Sequence, residues 1–247
     1  MNNNVKIMSV SPENKHSGKK EMKKYFLIAQ QCNVDILLFP SSFLPFYKNS
    51  SSFYHSENIE KLPDSISGIA LPNNSTKIIV GINEIDEKGR KYKTVVTFDK
   101  TKIIYKRRKR DIEKHYFEKG YFVGDDHIQF SADGIKINTL ECFEILFSHN
   151  WEGDPHLITA SVGFGMYAKT DHYDCDYFDQ WLNIVKGNCI RYNCYAILSC
   201  NAQYRDMMTV AINSSGEVIG LARTAGFFII DIDLNDFRKN KTPYLQE

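Results

Sequence analysis

The chain has 247 residues, 43% hydrophobic and 25% charged, enough to bury a sizeable core and with nothing that suggests disorder. With 31 basic against 30 acidic residues the formal charge is +1, so no global field selects nucleic acid or an anionic membrane, and recognition must come from local sites. The opening MNNNVKIMSVSPEN has no basic stretch leading into an apolar one, and the longest apolar runs, such as ILLF and FFII, are far too short to span a bilayer; the expectation is a soluble, cytoplasmic protein with one domain over 1–247.

In chain order, an apolar, β-branched run at 5–11 predicts a first strand. A helix follows, because Met22, Tyr25, Phe26 and Ala29 fall at i, i+3, i+4 and i+7 and form one apolar stripe. Strands are then predicted at 35–40, 77–85 and 92–99, the last two joined by a turn at Asp86–Gly89. Further strands fall at 135–143, 156–161, 194–200, 207–212, 217–222 and 227–233, with a turn at Asn213–Gly216. A second helix is predicted from Asp174 as its N-cap, through Phe178, Trp181, Leu182 and Val185. Strands with helices between them argue for a layered α/β domain.

Six cysteines, at 32, 142, 175, 189, 194 and 200, form no CxxC pair, so neither a disulfide framework nor a zinc ribbon is implied and reduced thiols are expected. Cys142 stands out, because it ends the predicted strand IKINTLECF between Glu141 and Glu144. A thiol at a strand end suits a nucleophile, although a free cysteine is also among the most buried residue types. The basic run KRRKR at 106–110 lacks interleaved aromatic residues and is read as a partly solvated strand edge rather than a nucleic-acid patch. His172, Asp174, Cys175 and Asp176 match no metal-site spacing and are read as an acidic helix start. No cofactor and no metal site are expected.

The ordered segments resemble the nitrilase superfamily of carbon-nitrogen hydrolases. VDILLFPSSF resembles the family's strand ending in Phe-Pro-Glu, and KIIVGINEIDEKGRKYKTVVTFD its next hairpin. IIYKRRKR resembles its Tyr-Arg-Lys segment, EKHYFEKG its Glu-Lys-Arg-Tyr-Phe-x-x-Gly segment, and TLECFEILF its nucleophile strand, closest to the Cys-Tyr-Glu-Ile-Leu-Phe form of apolipoprotein N-acyltransferases. The resemblance implies a four-layer α-β-β-α sandwich, paired into a homodimer or higher homo-oligomer, and a small-molecule amide, nitrile or acyl ligand. It implies a cysteine nucleophile with a glutamate base, an oxyanion-binding lysine and a second glutamate. Carried over, the cysteine is Cys142 and the second glutamate Glu113, whereas the base position holds Ser41 and the lysine position holds Arg107.

Arg107 keeps the positive charge, so electrostatic stabilisation survives that exchange. Alternation puts Tyr105, Arg107 and Lys109 on one strand face and Lys106 on the other, so Lys106 or Lys109 supplies the lysine only if the strand carries a bulge. Ser41 cannot act as a base near neutral pH, and loss of a base costs about 10²–10⁴-fold in rate. The expectation is a catalytically impaired or divergent family member. The alternative is an active thiol amidase or acyltransferase working through a Cys142 thioester with Glu113 as base, and Glu144 is expected to be structural.

Overall fold

The computed structural model describes residues 4–12, 19–41, 43, 53–67, 75–124, 128–132, 134–163, 176–201, 208–235 and 237. The strands are β1 (Asn4–Ser11), β2 (Ile36–Leu38), β3 (Tyr54–His55), β4 (Lys77–Ile85), β5 (Lys91–Phe98), β6 (Ile103–Arg108), β7 (Gln129–Ala132), β8 (Ile135–Glu141), β9 (Leu157–Ser161), β10 (Tyr195–Ser199), β11 (Thr209–Ile212), β12 (Val218–Ala222) and β13 (Gly226–Asp233). The α-helices are α1 (Lys19–Gln31), α2 (Ser56–Ile59), α3 (Leu62–Ser67), α4 (Lys114–Glu118) and α5 (Asp176–Tyr192). Two 3₁₀ turns, Cys142–Leu146 and Ser148–Trp151, follow β8. Every strand expected from the pattern is present, while β3, β7 and the three short helices carry too little periodicity to be read from sequence. The proposed N-cap Asp174, with His172 and Cys175, lies outside the described residues.

Two sheets face each other. One runs β13-β1-β2-β4-β5-β6 with β3 on β4, the other β12-β11-β10-β9-β8-β7. Strands β1, β2 and β4 are parallel neighbours, as are β8, β9 and β10, and their partners β5, β11 and β13 run antiparallel. The stripe Met22, Tyr25, Phe26 and Ala29 of α1 packs on the outer face of the first sheet against Met8, Leu37, Val80 and Ile82. Phe178, Trp181 and Val185 of α5 cover the second sheet at Leu140, Ile158, Ala196 and Leu198. The layers are therefore helix, sheet, sheet, helix. Both covering helices end on an asparagine in the left-handed region, Asn33 at φ 53° and Asn193 at φ 48°. Asparagine tolerates that conformation, and it turns the chain back into β2 and β10.

The space between the sheets changes character along the strands. At one end the inner face is apolar: Val5, Ile7, Ile36, Leu38, Ile79, Val95, Ile135, Ile137, Leu157 and Ile197. Following the period of two toward the other end, the same faces carry Ser9, Ser11, Lys93, Arg107, Lys109, Thr139, Glu141, Thr159, Ser161 and Ser199, all buried. The hydroxyls of this end tie the sheets together, with Ser199 Oγ donating to Val10 O at 2.6 Å and Ser161 Oγ to Phe39 O at 2.9 Å. Buried polar groups on this scale persist only when satisfied or used. Among the described residues, no helix is long and apolar enough to cross a membrane.

Candidate active site

Cys142 sits at this polar end, at the junction of β8 and the first 3₁₀ turn, and is 5% exposed. Strict alternation along β8 would commit it to the face of Leu140. Cys142 does share a buried cluster with Leu140, but its φ is 57°, a left-handed conformation that costs a non-glycine residue about 1–3 kcal/mol and is typical of sites where the backbone must present one side chain. Burial pushes the thiol up to about 12; the nearby ammonium of Lys109 opposes that rise, Glu113 and Glu141 reinforce it, and Lys93 opposes it. The resting group is therefore a neutral thiol, and it needs a proton acceptor to become a nucleophile.

The run KRRKR starts on the edge strand β6 and is partly solvated, as expected, with Lys106 and Arg108 half-buried and Arg110 exposed. Lys106 and Arg108 turn to the outer face, where both reach Glu84, whereas Arg107 and Lys109 turn inward and are buried. The register irregularity of β6 against β5 falls before Tyr105, at Thr97/Phe98, so simple alternation holds from Tyr105 to Lys109 and no bulge is needed there. Arg107, the residue at the expected lysine position, spends its fork on Glu144. Nη1 donates to Oε2 at 2.7 Å and Nη2 to Oε1 at 2.6 Å, with both side chains fully buried. That bidentate geometry suits a guanidinium and not an ammonium.

The inward ammonium that acts most strongly on Cys142 is that of Lys109, which donates to both oxygens of Glu113 at 2.8 Å. Burial alone would lower the lysine, but Cys142, Glu113 and Glu144 raise it above its ordinary value, so it stays charged. Glu144, besides holding Arg107, accepts from the backbone N–H of Glu141 at 2.9 Å and of Arg110 at 2.7 Å. One carboxylate thus fastens the end of β6 to the start of the Cys142 turn, which sets Lys109 against the cysteine. This is the structural role expected of Glu144, made specific.

Ser41 lies where the chain leaves β2 and runs beside β4. Its Oγ donates to Oε1 of Glu141 at 2.5 Å, and both residues are buried. Oε2 of Glu141 has no hydrogen-bond donor among the described residues. Two glycines make room: a Cβ at Gly81 would overlap Oε2 of Glu141, and one at Gly163 would stand 2.8 Å from Cβ of Ser41. Burial raises Glu141 to about 7; Lys93, Lys109 and the Ser41 hydrogen bond pull it down, and Glu144 pushes it up. Lys93 is itself buried on the neighbouring inner face of β5. Desolvation lowers it, and Glu141 partly restores it. Its ammonium lies 4.9 Å from the ring centre of Tyr116.

The four positions carried over from sequence are thus distributed in two pairs around the thiol: Ser41 on Glu141, and Glu113 on Lys109, with Arg107 two residues along the strand on a separate clamp. Sequence reasoning named Lys109 only as an alternative lysine that needed a bulge, and it left Glu141 and Lys93 without a role. Alternation from Ile137 through Thr139 to Glu141 was the available signal for the inward carboxylate.

A family model described as carbon-nitrogen hydrolase matches residues 6–241. The chain belongs to the carbon-nitrogen hydrolase family. Saccharomyces cerevisiae Nit3, a member of branch 10 of the nitrilase superfamily, superposes with a TM-score of 0.76 at 16% identity, covering 99% of this chain and 96% of Nit3. A carbon-nitrogen hydrolase from Helicobacter pylori G27 gives 0.76 at 14% identity, covering 96% and 91%. The amidase from Nesterenkonia sp. AN1, as a double mutant in complex with acrylamide, gives 0.68 at 12% identity, covering 98% and 95%. By sequence, no curated protein matches significantly. At these identities the structural likeness establishes the carbon-nitrogen hydrolase fold alone, and the chemistry has to be argued from the site of this chain.

Proposed function

We propose that this carbon-nitrogen hydrolase cleaves an amide through a thioester on Cys142. Lys109 receives the developing oxyanion, and Glu113 holds that lysine. The observation that carries the reading is the Lys109–Glu113 pair, with its ammonium fully buried and the Cys142 thiol within its field. Burying an ammonium costs several kcal/mol, and only part of that is returned by one carboxylate. A preorganised cation beside a nucleophile gains its full value when negative charge develops on the substrate oxygen. The expected ligand is a small amide, with nitriles and acyl donors as other entrants to the same thiol. Pairing of two copies through outer helices, where α5 exposes Ile184 and Ile190, belongs to the same proposal.

Residue 41 is a serine, and that observation favours a second reading, in which the pocket binds an amide without turning it over. Intact mass after incubation with a panel of small amides and activated acyl esters separates the two. The first reading expects an acyl adduct on the Cys142 peptide, absent in Cys142→Ala, and release of ammonia or amine. A folded wild-type chain that acquires no adduct from any amide, nitrile or ester would overturn it.

A further inference from the structure

A thiol that burial holds neutral needs a group to take its proton, and the molecule offers two carboxylates. Glu113 is committed by both oxygens to Lys109 at 2.8 Å, so accepting a proton there would break the ion pair that keeps Lys109 in place. Glu141 is not committed in this way. One oxygen meets the Ser41 hydroxyl, the side chain also faces the backbone N–H of Glu144 in a capping box, and Oε2 has no donor among the described residues while being buried in a pocket shaped for it. That shape is built by three separate positions. Ser41 is short enough to leave the space free, Gly81 has no Cβ to fill it, and Gly163 lets Ser41 approach. A glutamate at residue 41 and a glutamate at residue 141 cannot both enter this space.

We propose that Glu141 is the general base of this site, a carboxylate supplied by the residue before the nucleophile in place of one from residue 41. The proposal rests on the amide-cleaving reading for its later steps but not for the first. In the first step, the Glu141 carboxylate takes the Cys142 proton as the thiolate attacks the amide carbon, forming the C–S bond and an oxyanion on the carbonyl oxygen that faces Lys109. Collapse of the oxyanion breaks the C–N bond, and the proton held by Glu141 goes to the departing nitrogen. Glu141 then takes a proton from water as its oxygen attacks the thioester. Breaking the C–S bond releases the acid, and the proton returns to sulfur. Amide and water are consumed, acid and amine are made, and Glu141 ends as it began. Lys93 faces the carboxylate from β5 and Lys109 from just beyond the end of β6, with Ser41, Glu144, Cys142, Tyr116 and Tyr121 as the other polar or titratable groups around it. Lys93 is a positioning residue that favours the ionised acid.

The test reads the thiol directly: the rate of Cys142 alkylation by limiting iodoacetamide, followed by peptide mapping from pH 5 to 10, in the wild type, Glu141→Gln, Glu113→Gln and Ser41→Glu/Glu141→Ala, with folding checked by circular dichroism. The expected result is a wild-type rate that rises through about pH 7, a fall of about 10²-fold or more in Glu141→Gln at that pH, and recovery to within about tenfold in the double exchange. Recovery in the double exchange keeps the test decisive even where Glu141→Gln folds poorly. Cys142 alkylation unchanged by Glu141→Gln, or lost only in Glu113→Gln, would overturn the assignment, as would a wild-type Cys142 that is not alkylated at all. Amide turnover is scored separately, so a chain whose alkylation depends on Glu141 but which cleaves no amide refutes the substrate reading and leaves the base in place.

Discussion

Glu84 and Glu141 are both glutamates buried in the same pair of sheets, Glu84 fully and Glu141 to within 2%, yet they end at opposite extremes. Glu84 faces outward from β4. It accepts from Ser56 Oγ and Thr94 Oγ1 at 2.6 Å each, from Arg108 Nη2 at 2.8 Å and from Lys106 Nζ at 3.4 Å. Burial would raise its pKa, but the Arg108, Ser56 and Thr94 hydrogen bonds and the charge of Lys106 hold it down at about 2. Glu141 faces inward, has a neutral hydroxyl as its side-chain donor and meets Lys93 and Lys109 only through space, so desolvation prevails and it rises to about 7. Burial sets the cost of ionising a carboxylate, and contact decides whether that cost is returned. A carboxylate whose contacts return it holds strands together; one whose contacts do not is left able to exchange a proton near neutral pH.

The largest effect expected from this contrast falls on Glu144, the third buried glutamate among the described residues, whose one ion-pair partner is Arg107. Arg107→Met leaves it without its ion-pair partner and is expected to cost about 3–5 kcal/mol in urea unfolding. Arg107→Met with Glu144→Leu should recover much of that, because a matched apolar pair removes the stranded charge. A single Arg107→Met as stable as the wild type would show that the clamp is not what fastens β6 to the Cys142 turn.

The next two effects have opposite signs and should separate Glu84 from Glu141 in one measurement of stability against pH. For Glu84 the folded value lies below the ordinary 4.5, so its contribution is full above about pH 4.5 and is lost as pH falls toward about 2. Glu84→Gln should therefore lower stability at pH 7 by about 1–3 kcal/mol and flatten the acid limb. For Glu141 the folded value lies above the ordinary 4.5, so stability is full below about pH 4.5 and is lost as pH rises through about 7. Glu141→Gln should leave the chain more stable than the wild type at pH 8, by on the order of 1–3 kcal/mol, and nearly unchanged at pH 4. A Glu141→Gln chain that loses stability at pH 8 would place Glu141 with Glu84 among structural carboxylates.

Much of this contrast was present in the sequence, but not the part that decides it. The stripe on α1, the apolar runs of the central strands and the isolation of Cys142 at a strand end are local patterns, and local patterns are what a chain displays. Alternation also put Arg107 and Lys109 on one face. It could not choose between them, because the choice depends on Glu144 pairing with Arg107 and Glu113 with Lys109, and the family pattern pointed to Arg107. Ser41 read as a loss for the same reason: the carboxylate that meets its hydroxyl is 100 residues away in the chain, and the glycines that admit it, Gly81 and Gly163, carry no signal of their own.

The smallest effect concerns that hydroxyl. Ser41→Ala removes one hydrogen bond, worth about 0.5–1.5 kcal/mol net between a neutral donor and its partner and somewhat more to a charged one. Because the bond lowers the pKa of Glu141, its loss should raise it, and the pH at which Cys142 alkylation reaches half its maximum should move upward by a fraction of a unit to about one unit. The plateau at high pH should stay close to that of the wild type, since the base is intact once ionised. Ser41→Thr, which keeps the hydroxyl, should leave the midpoint in place if the extra methyl is accommodated beside Gly163. A midpoint that moves downward in Ser41→Ala would mean that the hydroxyl accepts from a protonated Glu141 rather than donating to the carboxylate, and that the site rests with the proton on Glu141.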